Sequence, residues 1–365
     1  MLKKVLEKLN DFVGEVIRIV LTPLLLPIVE RNLFPDIILR FGMQRELAFE
    51  LNKVKKLSTE MKLHKKMDFV SSLKTLPIAI NQKDANNQHY EVPDEFYRMV
   101  LGPCLKYSSG YWPTAKTTLA ESEIYMLDMY CERAQLKDGM SIIDLGCGWG
   151  SVTLYLAEKY PNSTITSISN SNSQREYIES TAATRNLHNV TVFTGDIASF
   201  DLPQSKYYGN ADRVISIEMF EHMKNYELLM KKVSNWIKPG GKLFIHIFTH
   251  CEFPGHFENG WMAENFFTGG TLPSDDLLLY FQKDLQIEDH WMVNGSHYQR
   301  TLEAWLKVMD SKKDAVLHLF SDKNSPQAAL KCYVNWRLFF IACAEFFGMC
   351  EGHEYLVSHY LFVKP

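Results

Sequence analysis

The chain has 365 residues and a mass of 42.3 kDa, more than the roughly 100–200 residues of one typical domain, so a large core domain with an appendage is expected. Its 46% hydrophobic and 22% charged residues suit a soluble globular protein and exclude a disordered chain, a collagen or a disulfide scaffold. A net charge of −4 gives no global reason to bind nucleic acid. The charge is uneven, however: residues 1–74 hold 14 Lys and Arg against 9 Asp and Glu, which leaves the remainder acidic and suited to a positively charged partner. The seven cysteines are scattered, with no Cys-x-x-Cys pair and no metal-ligand spacing, and read as reduced thiols of a reducing compartment such as the cytoplasm. The apolar run at residues 19–29 (IVLTPLLLPIV) holds Pro23 and Pro27 and is flanked by Arg18 and Glu30. A membrane span needs about 20 apolar residues, so none is expected, and acidic Glu7, Asp11 and Glu15 argue against a signal peptide.

In chain order, residues 1–75 place apolar side chains at helical spacing (Leu2, Val5, Leu6, Leu9, Val13, Val16, Ile17), and Pro23, Pro27 and Pro35 divide them into several amphipathic helices. With neither face strongly basic, a helical cap on a larger domain is the expectation rather than a membrane-surface helix. Residues 76–117 read as an irregular connection rich in Asn, Gln, Tyr and Ser, and its aromatic content argues for a functional loop. From residue 121 strands and helices alternate. A helix at 121–134 ends at Lys137-Asp138-Gly139, and a buried strand at 141–145 runs into Gly146-Cys-Gly148-Trp-Gly150 and a helix at 152–159. Strands at 163–169, 190–194, 212–217 and 242–248 follow, with helices at 173–185 and 226–237 between them. Beyond residue 250 come an aromatic loop region, a strand at 285–293, helices at 302–309 and 327–347, and a last strand at 355–363. This alternation implies parallel pairing in a doubly wound sheet.

The first strand-to-helix turn is the most informative segment. Its glycines let the chain bend sharply at the carboxyl end of a strand, where open parallel sheets bind ligands. A dinucleotide site would read Gly-x-Gly-x-x-Gly, but the third glycine falls one place early and Ser151 takes the expected position. Glycines that admit a close ligand, together with Asp144, suit a zwitterionic amino-acid ligand with an ammonium group; the bland alternative is a tight turn that packs helix on strand. Farther on, Glu218, Glu221 and His222 are spaced three and four apart, so one helical turn would let Glu218 face both others. Such residues can simply complement a helix dipole, or they can bind and deprotonate an amine.

These motifs together resemble a known family. Tyr107-Ser-Ser-Gly-Tyr-Trp112, the glycine turn, Ser169-Asn-Ser-x-Ser-Gln174, Ile217-Glu-Met-Phe-Glu-His-Met-Lys-Asn-Tyr226 and His246 look like the cyclopropane fatty acid synthase superfamily of class I S-adenosylmethionine-dependent methyltransferases. Leu76-Pro-Ile-Ala-Ile80, His89-Tyr-Glu-Val-Pro93, Tyr130-Cys-Glu-Arg-Ala134 and Asp289-His-Trp291 are similar to the coclaurine N-methyltransferases and their plant relatives within it. The resemblance implies an α/β fold, a Rossmann-like class I methyltransferase sheet with helices on both faces and an N-terminal helical cap. It implies a helical extension at 1–75, a segment covering cofactor and substrate at 76–120, and a methyltransferase domain at 121–365 with substrate-pocket insertions after residue 250.

By the same resemblance S-adenosyl-L-methionine is the cofactor. Ser108 and Ser109 would close over it, Gly146 and Gly148 with Asp144 would hold its methionine part, and Asn170 and Gln174 would approach the nucleoside. Asp196 and Ile197 would meet the adenine, though Asp196 read alone serves equally well as a helix cap. His222 is expected to be the base, with Glu221 orienting it or acting as base itself, and Glu218 and Glu91 to anchor the amine. Tyr97, Trp112, Phe257, Trp261, Phe267, Tyr280, Trp291, Tyr298 and Phe340 are candidates for an aromatic wall, where a cation over a ring gains about 0.5–2 kcal/mol. Cys343 matches a cysteine of cyclopropane synthases but reads as packing. The expected activity is N-methylation of a small amine, such as a tetrahydroisoquinoline or benzylisoquinoline alkaloid, by a chain that acts singly or as a homodimer. The competing enzyme reading is cyclopropanation of a lipid alkene, for which Glu221, His246 and Tyr298 would hold a bicarbonate base; there Ser109 stands where those synthases carry cysteine. A non-enzymatic cofactor-binding scaffold would be expected to lack the acid/base cluster.

Overall fold

The computed structural model describes residues 28–80, 92–257, 260–321 and 325–365. The apolar positions before residue 28, the run at 19–27 and Glu91 lie outside them. Two helices come first, α1 (Asp36–Lys55) after Pro35 and α2 (Thr59–Leu73), whose first turn is capped by the Ser58 hydroxyl accepting from the Met61 N–H. A short helix, α3 (Asp94–Val100), follows Pro93. It interrupts what the sequence reads as irregular: Asp94 and Glu95 complement its first turn, and Phe96, Tyr97 and Val100 are buried. Helix α4 (Leu119–Arg133) starts at a reciprocal capping box between Thr118 and Glu121.

The sheet is built from β1 (Ser141–Leu145), β2 (Thr164–Ser169), β3 (Val190–Thr194), β4 (Ala211–Ile217), β5 (Ile237–His250), β8 (Gln286–Val293) and β9 (Tyr355–Val363). A two-stranded ribbon of β6 (Gly255–His256) and β7 (Thr271–Leu272) stands apart. The helices among these strands are α5 (Ser151–Lys159), α6 (Asn172–Thr184), α7 (Tyr226–Trp236), α8 (Ser296–Ser311), α9 (Lys313–Ser321) and α10 (Pro326–Gly348). Strand order is β3-β2-β1-β4-β5-β9-β8. The expectation of parallel pairing holds for β1 to β5 and fails at the far edge, where β9 runs antiparallel to both β5 and β8. The chain leaves α10 through a tight turn with Cys350 and Glu351 at φ 51° and 58°, and so enters β9 reversed, between its two neighbours. β5 also starts earlier than its apolar run suggests, at Ile237, because α7 ends before Pro239.

Alternate side chains of the strands feed two cores. Ile142, Ile165, Ile215, Phe244, Val357 and Leu361 pack beneath α4, α8 and α10. Ile143, Ile168, Val214, Leu243, Ile245 and Phe362 pack against Leu229, Met230, Val233 and Trp236 of α7. Crossing the sheet near the carboxyl end of β4, Ile217, His246, His359 and Trp291 are successive neighbours on β4, β5, β9 and β8. That row brings two histidines, from β5 and β9, to one level under α4.

Gly295 begins α8, and a Cβ there would lie 2.0 Å from the Tyr355 carbonyl oxygen and 2.5 Å from that of Phe347. Both are main-chain atoms of buried elements that cannot step aside. Gly295→Ala is expected to destabilise the fold by roughly 1–3 kcal/mol, read as a lower urea midpoint at an unchanged slope.

Candidate active site

At the end of β1 the chain turns through Gly146 and Gly148, both at positive φ (82° and 50°), while the N–H groups of Gly146 and Cys147 share the Ile168 carbonyl of β2 at 3.0 Å. A Cβ on Gly146 would strike Met219 at 2.7 Å, whereas one on Gly148 meets no atom within 4 Å and would project into a cavity of about 1430 Å³. This cavity runs along the carboxyl ends of β1, β2 and β4 and out beneath α1. Its walls include Ser108, Asp144, Gly146, Gly148, Asn170, Gln174, Asp196, Ile197, Glu218, Glu221 and His222. Eleven of the thirteen cofactor and catalytic candidates are therefore brought to one space.

Several hold local bonds as well. Asp144 accepts from Thr153 Oγ1 at 2.6 Å, and burial raises its carboxyl to about 6 against the pull of that bond. Gln174 accepts from Ser169 Oγ at 2.7 Å, and Asp196 caps its own turn by accepting from the Ala198 N–H at 2.8 Å. Ser109 departs from its expected place: it does not line the cavity, its hydroxyl donates to the Gly110 carbonyl, and its N–H donates to Glu218.

Glu218, Glu221 and His222 form one part of the cavity wall. Glu218 sits ahead of a single 3₁₀ turn, Phe220–His222, with a left-handed backbone at φ 47°. The stack of three side chains on one helical turn that the spacing suggests is thus replaced by a strained entry residue followed by a short turn. Glu218 Oε1 accepts from the Ser109 N–H at 3.0 Å and from His246 Nε2 at 2.9 Å, and Oε2 accepts from the Tyr298 hydroxyl at 2.6 Å. Burial raises this carboxyl to about 7, opposed by Lys106, Tyr298 and Ser109. Lys106 is itself fully buried, donates to Ser108 Oγ and to the Ser109 carbonyl, and is lowered to about 8 by burial against the attraction of Glu218 and Glu123. Glu221 is 1% exposed, and its Oε2 has no hydrogen-bond partner; burial and then the neighbouring Glu218 push its proton affinity well above the usual carboxyl range. His222 stacks on Phe267 with ring centroids 5.0 Å apart.

Of the proposed aromatic wall, Tyr97, Phe257, Trp261, Phe267 and Tyr298 line the cavity. Trp112 is instead buried with its indole N–H on Thr301, Trp291 lies under Arg133, and Phe340 packs against Trp305 and Trp336. Tyr280 also lies off the cavity, while Tyr107, Trp149, Trp305, Phe339, Phe346 and Phe347 line it unforeseen. Cys343 reaches the cavity too, with its thiol pushed far up by burial and by Glu218, so it stays protonated. Away from the cavity His250, Cys251 and Glu354 converge within 4.8 Å. His250 Nδ1 accepts from the N–H groups of Glu252 and Phe253, so its proton is on Nε2, and Lys55 binds Glu354. That group docks α1 rather than offering three free ligands.

A seven-stranded sheet with one reversed strand next to the edge, carrying a glycine turn and a cavity at the carboxyl end of β1, defines a class I S-adenosylmethionine-dependent methyltransferase. The mycolic acid cyclopropane synthetase family matches residues 79–353, and the chain belongs to it. It is 39% identical to the (S)-coclaurine N-methyltransferase of Thalictrum flavum subsp. glaucum over 93% of this chain and 95% of that one. It is 38% identical to the pavine N-methyltransferase of the same plant, over 92% and 95%. A crystal structure of coclaurine N-methyltransferase bound to N-methylheliamine and SAH superposes with a TM-score of 0.89 at 40% identity, covering 93% of this chain and 99% of that one. The protein is a methyltransferase that uses S-adenosyl-L-methionine. No helix among the described residues is long and apolar enough to cross a membrane.

The open space at Gly148 fits a cofactor backbone laid against the turn. Gly148→Val should fill it, and calorimetric titration is expected to show at least a tenfold loss of S-adenosylmethionine affinity in a folded variant. Unchanged affinity would remove the turn from the cofactor site.

Proposed function

We propose that the protein methylates the nitrogen of a small aromatic amine of the tetrahydroisoquinoline or benzylisoquinoline class for which its relatives are named. The observation that carries this reading is a pair of buried carboxyls, Glu218 and Glu221, facing an aromatic cavity with one carboxyl oxygen left unpartnered. An unpartnered buried carboxyl oxygen is unfavourable, and an ammonium or amine N–H is a partner that would satisfy it. The bound cofactor supplies a methyl group on a sulfonium. In our reading Ser108, Asp144, Gly146, Gly148, Asn170, Gln174, Asp196 and Ile197 hold it, with Ser109 contributing its backbone.

The amine lone pair forms the new N–C bond as the methyl carbon leaves sulfur, and the nitrogen must lose a proton before or after. His222, at the cavity wall, accepts that proton; Glu218 anchors the cationic nitrogen, and Glu221 assists through its open oxygen. Tyr97, Phe257, Trp261 and Phe267 bury the rings and exclude water, which strengthens each charge interaction inside. The lipid reading is disfavoured by the occupancy of its own anion pocket. His246 Nε2 and the Tyr298 hydroxyl, which would have to hold bicarbonate, both bind the Glu218 carboxylate. The chain thus carries its own carboxylate where that mechanism needs a soluble one. The cytoplasm and a monomer or homodimer remain the setting we propose for it.

Four outcomes are expected. Removing the imidazole or the carboxylate in His222→Ala and Glu221→Ala should each slow turnover by about 10²–10⁴ while leaving cofactor affinity within a few fold; near-normal turnover in both would remove them from the mechanism. Activity should rise with pH through about 7, because an ionised Glu218 and a neutral amine are both favoured there, and Glu218→Gln should lose the part of that acid limb that Glu218 contributes. Stability of the ligand-free protein has the opposite sign. A carboxyl raised to about 7 from 4.5 favours the folded state at low pH, and that contribution is lost as pH rises through about 7, so the urea midpoint should fall between pH 5 and 8 less in Glu218→Gln than in the wild type. Turnover in decarbonated buffer should equal turnover with added bicarbonate; strict bicarbonate dependence would favour the lipid reaction.

A further inference from the structure

Behind Glu218 lies a row of groups with no part in the scheme above. Arg133 Nη1 is 2.7 Å from His359 Nδ1, His359 Nε2 is 2.9 Å from His246 Nδ1, and His246 Nε2 is 2.9 Å from Glu218 Oε1. Both imidazoles are fully buried, so no water is at hand to reverse any of these bonds. A guanidinium has only N–H donors and keeps its charge in a protein. His359 Nδ1 must therefore accept, which leaves the single proton of this neutral ring on Nε2. That proton is donated to His246 Nδ1, which in turn leaves the proton of His246 on Nε2, aimed at Glu218. Burial, with Lys106 and Arg133 nearby, keeps His246 far below the usual histidine range, and burial with His246 and Arg133 does the same for His359, so neither ring gains a second proton near neutral pH. The Tyr130 hydroxyl also lies 2.9 Å from His246 Nδ1 and can donate there as well. At the far end both oxygens of Glu218 receive donors, from Ser109 and His246 on one and Tyr298 on the other.

We infer that Arg133 and His359 are positioning residues for methyl transfer: the guanidinium sets the tautomer of two histidines in series, so that His246 is a neutral Nε2–H donor that holds Glu218 in its amine-binding orientation. His246 is then a donor to Glu218 and takes no proton from substrate. The role is polar rather than general packing, because Arg133 has a separate packing contact, its guanidinium lying 5.1 Å over the Trp291 ring, which can be removed independently. This inference rests on the assignment of Glu218 as amine anchor.

The test uses the full-length protein with ¹⁵N-labelled histidine, with the two ring signals assigned through His359→Gln and His246→Gln. In the wild type both His359 and His246 should show an unprotonated Nδ1 and a protonated Nε2. Arg133→Leu should release His359 to a mixture of tautomers, disturb the His246 signal, and lower kcat by about 10- to 100-fold with the cofactor Kd unchanged, as loss of a hydrogen bond to a charged group would. Arg133→Lys, which keeps a cationic donor, should restore most of the rate. So should His359→Gln, whose amide can accept from Arg133 and donate to His246. Trp291→Leu, which removes the stack and leaves the donor, should keep both tautomers and most of kcat. If His246 keeps its Nε2–H form and kcat is preserved in Arg133→Leu, or if Trp291→Leu costs as much as Arg133→Leu, the positioning role is overturned. If the tautomers respond as stated while Glu218→Gln turns over normally, the wiring stands and the assignment of Glu218 as amine anchor fails.

Discussion

A carboxylate taken out of water at the carboxyl end of β4 is the constraint around which the site is arranged. Burying an unpaired carboxylate is costly enough that the group would simply hold its proton. Burial raises the Glu218 carboxyl to about 7, and it is kept from rising further by donors delivered from separate elements: a backbone N–H from the segment before α4, a hydroxyl from α8 and an imidazole from β5, with the Lys106 cation nearby. The full set of contacts forms only when the sheet, α8 and the segment before α4 are all in place. The left-handed backbone at Glu218 belongs to the same account, since it is the strand-end bend that turns the carboxylate back toward the sheet rather than out along the chain. The balance is incomplete, because Glu221 beside it is left with an unpartnered oxygen. In the reaction we propose, that open oxygen is left for the amine.

The reversed strand has a consequence for this arrangement. Insertion of β9 between β5 and β8 sets His359 directly beside His246, and places Trp291 on the other side of His359. Helix α4 crosses this row and supplies Tyr130 and Arg133, three residues apart and so on one face of the helix. A parallel sheet ending at β5 would leave His246 on an edge strand, open to water and free to take either tautomer. The antiparallel edge is therefore linked to the chemistry as well as to the closure of the core.

Much of the scaffold was legible because the signals are local. β3 and β9 match their apolar runs to the residue, and β1 does so because Gly139 and Gly146 bracket it; the glycine turn and the acidic triplet also announce themselves within ten residues. What was not legible depends on distance along the chain. Arg133 and His359 are 226 positions apart, and nothing near either marks the other as a partner. Lys106 reads as an ordinary surface lysine until the fold buries it. Helix α3 was missed because its seven residues are too few for a periodic signal, and it is fixed by burial of Phe96, Tyr97 and Val100 rather than by pattern. The Ser108-Ser109 pair shows a finer limit: its two hydroxyls have different partners, Lys106 for one and the Gly110 carbonyl for the other, and the motif itself does not distinguish them.

The two ends of the cavity are held by different physics. The floor is fixed by the sheet ladder and by buried, mutually dependent polar groups. The outer wall is α1, of which Leu51 alone is buried, and its attachment is largely ionic. Arg40 binds Glu303 and Glu345, Lys55 binds Glu354, and Arg337 reaches Asp36. Partly exposed pairs of this kind contribute about 0–1 kcal/mol each, and they fix a helix's position without demanding close complementarity along its length. Side chains on the cavity side of α1, such as Ile38, Met43 and Leu47, can accordingly change in size with little effect on the buried network some distance below. In the reaction we propose, the groups handling charge and proton are thus locked together, while the side chains of α1 that would meet the rest of the amine are only loosely tied to them.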